Sequence, residues 1–143
     1  MTPRLILSAA TLGLACLSGP ALAGPEGASH AAACVAALKA QETDLAASVK
    51  AGEPHEPVLL KVVRSGIAII GTQYLAGLRE SEARELLKAA EHEFQALAPE
   101  EAQLRQSTCL HEGEALYAKA SPLEQSLIST AAQRRVKRLT TSS

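Results

Sequence analysis

A chain of 143 residues with 14 basic and 15 acidic side chains carries a formal net charge of −1, the balance neither of a nucleic-acid binder nor of a disordered polyelectrolyte. Aromatic side chains make up 2% of it and tryptophan is absent, so the platforms on which sugars and single-stranded nucleic acids stack are scarce. Abundant alanine and few β-branched residues favour helix along the whole chain.

Met1-Thr2-Pro3-Arg4 leads into the apolar run Leu5–Leu17, followed by Ser18-Gly19-Pro20-Ala21-Leu22-Ala23 and Gly24. A positive start, an apolar stretch of about a dozen residues and an Ala-x-Ala site make residues 1–23 a cleavable signal peptide. The stretch is too short for a membrane span, and Gly19-Pro20 breaks it. A lipoprotein signal would use Cys16, but Gly13 stands where that class prefers leucine. The expectation is export into a bacterial periplasm, with residues 24–143 as a single helical domain.

Gly24–Gly27 reads as a flexible lead and Ser29 as the cap of a first helix reaching about Lys50, closed by Gly52. Cys34, Leu38, Leu45 and Val49 share one narrow stripe of it. Glu53-Pro54-His55-Glu56-Pro57 is a turn that stops one helix and starts the next. The second helix, Pro57 to about Leu78, is apolar nearly all round, with Lys61, Arg64, Ser65 and Thr72 on one strip. Lys61 and Arg64 would each cost about 3 kcal/mol at a membrane centre, which favours a central helix surrounded by the others. Gly66, Gly71 and Gly77 then serve close packing, and Gly71→Leu should overpack a crowded contact.

Ser81 is expected to cap a third helix to about Ala98, with Ala83, Leu86, Leu87, Ala90, Phe94 and Leu97 facing inward. Pro99-Glu100-Glu101 starts a fourth, whose inner face carries Ala102, Cys109, Leu110, Gly113, Leu116 and Tyr117. Ser121-Pro122-Leu123-Glu124 is a capping box opening a fifth helix to about Leu139. No strand pattern or internal repeat is present. The fold class is therefore all-α, a compact bundle of four to five helices. Cys34 and Cys109 both face inward in an exported chain, so they should form one disulfide between the first and fourth helices. Without Cys-x-x-Cys spacing, that bond is structural rather than redox-tuned.

Chemistry-bearing patterns are few. His30, His55, His92 and His111 show no His-x-x-x-His or Glu-x-x-His pair, and His92 and His111 lie on outward faces, so no metal or cofactor is expected. His55, between Glu53 and Glu56, is the candidate pH-responsive group. There is no Gly-x-Ser-x-Gly, no glycine-rich phosphate loop, and Asp44 is the sole aspartate. Enzymatic activity is not expected.

The C-terminus departs most from what folding requires. Residues 24–133 hold nine cations against fifteen carboxylates, a net charge of −6, and are followed by Arg134, Arg135, Lys137 and Arg138. These four are the candidate interaction residues, facing an acidic partner or an anionic membrane surface. Arg135 falls between Ile128, Ala131 and Leu139 on the apolar face. It therefore needs either an internal carboxylate, with Glu124 on the same side, or an external anion.

Tyr74-Leu75-Ala76-Gly77-Leu78 resembles the Tyr-Ile-x-Gly-Val stretch of Tai-type periplasmic immunity proteins, small disulfide-bonded helical chains that block a rival's toxin. The likeness covers five residues, and that family's C-terminal Phe-Pro-Cys has no counterpart here. By analogy it implies inhibition by binding. The functional expectation is a non-enzymatic interaction protein (an inhibitor, an immunity-like factor or an envelope chaperone) whose partner is another envelope protein and not a nucleic acid. The alternative is a carrier of a small apolar ligand, with a pocket beside Gly66 and Gly71.

Overall fold

Proline and glycine punctuate the chain, and the helices follow that punctuation. The computed structural model describes residues 24–142; the expected signal segment, Cys16 included, lies outside them. Among the described residues five helices occur in order: α1 (Pro25–Lys50), α2 (Glu56–Leu75), α3 (Glu80–Gln95), α4 (Pro99–Lys119) and α5 (Pro122–Thr141). Among the described residues there is no strand. All but α3 have proline in the first turn, where its missing N–H costs no helical hydrogen bond.

α1 and α2 stop in the same way. Gly52 and Gly77 adopt φ of 90° and 100°, which L-residues with a Cβ rarely enter. The N–H groups of Gly77 and Leu78 then donate to Tyr74 O and Gln73 O at 3.0 Å each, the Schellman closure of a helix end. Glu53 and Gly52 close α1 on Ser48 and Val49 in the same pattern. The expected end of the second helix at Leu78 is thus three residues late, because Gly77 breaks it.

Three other boundaries also differ. α1 begins at Pro25, not after Ser29, and Gly27 and Ala28 are already buried, so the expected flexible lead is helix. α3 begins at Glu80 and ends at Gln95, and Ser81 is not its cap. Instead the Glu82 carboxylate accepts from the Arg79 backbone N–H at 3.1 Å and from its guanidinium at 2.6 Å. The guanidinium holds the Glu82 carboxyl below the usual carboxylate range. The α5 capping box forms as expected: Glu124 accepts from Ser121 N–H at 2.7 Å. That backbone bond, with the Ser121 hydroxyl second, holds the Glu124 carboxyl low.

α2 packs against α1, α4 and α5, while α3 lies on α1. Leu59, Val62, Val63 and Ile69 of α2 are almost fully buried. One core joins Ala31, Cys34 and Leu38 of α1 to Val62, Ile69 and Cys109. A second joins Ala46, Leu59 and Val63 to Ala132 and Val136 of α5. A third, built from Ala32, Ala36 and Ala90, seats α3. The Cys34–Cys109 disulfide links α1 to α4 with the Cα atoms 5.1 Å apart, as the inward cysteines required. α2 is long and apolar enough to cross a membrane, and its Leu59, Val62, Val63 and Ile69 are shared between the first two of these cores.

The polar strip of α2 meets α4. Lys61 Nζ lies 3.0 Å from Glu114 Oε1, the Arg64 guanidinium sits 4.3 Å above the Tyr117 ring, and Ser65 is wholly buried. The small residue that permits this approach is Gly113 of α4, not Gly71. A Cβ on Gly113 would come within 2.5 Å of Ser65 Cβ and 2.7 Å of Ser65 O, whereas one on Gly66 or Gly71 would meet nothing within 4 Å. The expected overpacking at Gly71 is therefore corrected: α4 and α5 leave that part of α2 uncovered.

The same chemical change should then have opposite effects at the two glycines. Gly113→Ala must push α4 off the α2 backbone, and should lose about 1–3 kcal/mol as an overpacked contact does. Gly71→Ala should gain about 0.5–1 kcal/mol from helix propensity. Urea unfolding of both variants checks this, and equal shifts in one direction would contradict the packing described.

Candidate functional site

α4 and α5 join through the short turn at Ala120 and Ser121, and they touch each other little. Gln125 Nε2 donates to Tyr117 O at 3.1 Å and Ala120 O at 3.2 Å, and Tyr117 Oη meets Ser129 Oγ at 2.8 Å. These bonds fix a V that straddles α2. Where the V opens, Ala68, Gly71 and Leu75 of α2, Leu116 of α4, and Leu127 and Ile128 of α5 line a groove of about 550 Å³. Lys119 and Glu124 also line it.

The groove mouth is apolar in a way that packing does not explain. Leu75 is 80% exposed, Leu123 71% and Leu127 62%, with Tyr74 at 45%. Single exposed leucines are unremarkable, but clusters mark contact surfaces. Leu123 and Leu127 are one turn apart on α5. Arg134 and Arg138, seven and eleven residues beyond Leu127, continue the same helical face, with Lys137 beside them. All three cations are exposed, and among the described residues none has a carboxylate within ion-pair distance. The outer face of α5 therefore runs from an apolar half to a basic half.

Arg135 does not belong to that face. Its Nε donates to Glu42 Oε1 at 2.8 Å and its Nη2 lies 2.7 Å from the same oxygen. The internal partner is thus Glu42 of α1, and not Glu124, whose carboxylate caps α5. Arg135 is accordingly withdrawn from the candidate interaction set. His55 sits at the N-cap of α2, with Nδ1 3.2 Å from Glu53 Oε2. His92 and His111 are exposed, as their helix faces required.

Two features escaped the sequence reading. Leu123 and Leu127 lie off the Ile128–Ala132–Val136 stripe, and that offset was the available signal for the groove mouth. The second is His30, whose Nε2 lies 2.8 Å from Glu112 Oε2 beside the disulfide. Gly66, expected beside a ligand pocket, lines a smaller groove of about 270 Å³ with Val35, Val62 and Ile70. A further groove of about 570 Å³ lies at the start of α1, between Pro25, Gln73, Leu78 and Leu86. No protein-family model matches the chain, nor does any curated protein or solved structure. The pentapeptide Tyr74–Leu78 is itself the Schellman end of α2, so local capping accounts for its glycine.

Proposed function

We propose that this chain is an exported, non-enzymatic binding protein that docks an envelope protein along the outer face of α5. The supporting observation is the continuity of the apolar groove mouth at Leu75 and Leu127, extended along α5 by exposed Leu123, with Arg134, Lys137 and Arg138, which have no ion-pair partner among the described residues. The complement is an amphipathic helix whose apolar residues enter the V and whose acidic end lies over the cations. Its carboxylates would oppose the basic half of α5 and be repelled by the acidic remainder of this chain, which sets the direction of docking. A soluble inhibitor, an immunity-like factor and a chaperone all use such a surface.

A photo-crosslinking residue placed at Leu127 in the intact envelope should trap one protein, and the same residue at Glu93 on α3 should not. Leu123→Glu in the same chain should abolish the crosslink. The combined substitutions Arg134→Gln, Lys137→Gln and Arg138→Gln should weaken binding and flatten its salt dependence, since exposed charges are screened within about 10 Å at 0.1 M salt. Neither variant should change the unfolding midpoint. Equal labelling at Leu127 and Glu93 would refute the docking face. Recruitment to anionic vesicles that the triple variant loses would assign the surface to lipid instead.

The carrier reading keeps one observation in its favour: a groove of about 550 Å³ beside Gly71 lies within the roughly 300–1,000 Å³ span of ligand clefts. An apolar fluorophore that binds stoichiometrically and is displaced by Leu127→Trp would support it over helix docking.

A further inference from the structure

α1 and α4 each carry a pair of potential ligands one turn apart, and the disulfide brings the two pairs together. On α1 these are His30 and Cys34, at i and i+4; on α4 they are Cys109 and Glu112, at i and i+3. Such spacings place two side chains on one helix face. His30 Nε2 lies 2.8 Å from Glu112 Oε2, and Cys34 Sγ lies 3.9 Å from each of them. Cys109 Sγ is bonded to Cys34 Sγ. Both cysteines are buried, while the His30 side chain is 51% exposed and that of Glu112 28%. The sulfurs thus sit at the floor of a small polar mouth that opens to solvent. A structural disulfide needs no such lid, and neither core packing nor the α5 surface uses these two polar groups.

We infer that reduction of the Cys34–Cys109 bond turns this corner into a four-ligand zinc site made of His30, Cys34, Cys109 and Glu112. Zinc takes thiolate sulfur at about 2.3 Å and imidazole or carboxylate atoms at about 2.0–2.2 Å in a tetrahedron, whose edges are then roughly 3.3–3.8 Å. The observed separations of 2.8 and 3.9 Å among His30, Cys34 and Glu112 bracket that range, and Cys109 Sγ, bonded to Cys34 Sγ, completes the set once reduction lets the two sulfurs part to such an edge. The reaction balances with a dithiol as reductant. The protein disulfide gains two electrons and two protons, the dithiol becomes a disulfide, and zinc displaces the two thiol protons as both thiolates ligate it. Ligation also shields the thiolates, so the crosslink and the metal are alternative ways of holding α1 to α4.

The test uses the purified protein, reduced anaerobically with a phosphine and titrated with cobalt(II) as the coloured stand-in for zinc. The reduced wild type should take up one cobalt per chain, with thiolate-to-cobalt charge transfer and tetrahedral d–d bands. The oxidised protein should show neither, and zinc should displace the cobalt. His30→Ala and Glu112→Gln should each weaken cobalt binding by at least about tenfold, the lower bound for losing even an outer-shell partner. His111→Ala should change nothing. Zinc should also slow reoxidation of the wild type by oxidised glutathione, and not that of His30→Ala. If reduction alone unfolds the chain, zinc should restore its helical circular dichroism in the wild type and fail in His30→Ala. Absent charge-transfer bands in the reduced wild type, bands of wild-type strength in both variants, or, where reduction unfolds the chain, no recovery of helix with zinc would overturn the site.

Discussion

Replacing both cysteines, as Cys34→Ala with Cys109→Ala, is expected to lower the stability of the protein by about 4 kcal/mol. The two residues are 75 apart in sequence, and the chain-entropy model assigns a crosslink of that span about 4 kcal/mol through the unfolded state. For a domain of this size the corresponding fall in melting temperature is on the order of 15 °C. The loss should exceed what the contacts suggest, because Cys34 and Cys109 occupy the same core cluster as Leu38, Val62 and Ile69, and alanine leaves small voids there. Free-thiol titration of the denatured, unreduced mature protein (residues 24–143, without Cys16) should find no reactive thiol. Two titratable thiols per chain, or a double variant that melts with the wild type, would remove the staple from the account of how α1 and α4 are held.

The crosslink also locates the limits of reading this fold from its sequence. Helix starts and stops are local events, and most were legible: the first-turn prolines of α2, α4 and α5, the Ser121–Glu124 box and Gly52 all act where they stand. The errors were local too. Gly24 before Pro25 was taken for slack chain, and Gly77 was read as packing when it is a terminator. What the sequence could not supply is which neighbour covers each part of a helix that is apolar nearly all round. Gly66, Gly71 and Gly113 look alike in a helical wheel, but only Gly113 lies under another backbone. That difference depends on how far α4 and α5 diverge after Ala120, and no nearby residue encodes it.

The candidate sites divide in the same way. The basic half of the α5 surface was legible, because an excess of charge needs no tertiary information. The apolar half was overlooked, since leucine at helical spacing is ordinarily core; its exposure follows only from the V that leaves the end of α2 bare. His30 had a local signal in its spacing from Cys34. Its partner Glu112 is 82 residues away, and the register between them is set by the disulfide.

Arg135→Ala should cost about 2–3 kcal/mol, because it leaves the buried Glu42 carboxylate without its partner. The burden falls unevenly on the two partners. The Glu42 side chain is 9% exposed, whereas that of Arg135 is 40% exposed. Without Arg135 the carboxylate is left without its ion-pair partner in a groove that Leu38, Val62 and Val63 also line; without Glu42 the guanidinium can swing into water. Glu42→Ala should therefore cost less, about 1 kcal/mol, roughly what a hydrogen bond to a charged group contributes net. Replacing the pair together, as Glu42→Leu with Arg135→Leu, should recover most of the loss, because apolar residues of similar volume serve a buried site about as well as ions do. Urea midpoints for the three variants at neutral pH check the order. A wild-type midpoint for Arg135→Ala would free its guanidinium from any structural duty and return it to the basic face with Arg134, Lys137 and Arg138. The order expected here separates them: Arg135 ties α5 to α1, and the other three cations stay on the exposed face of α5.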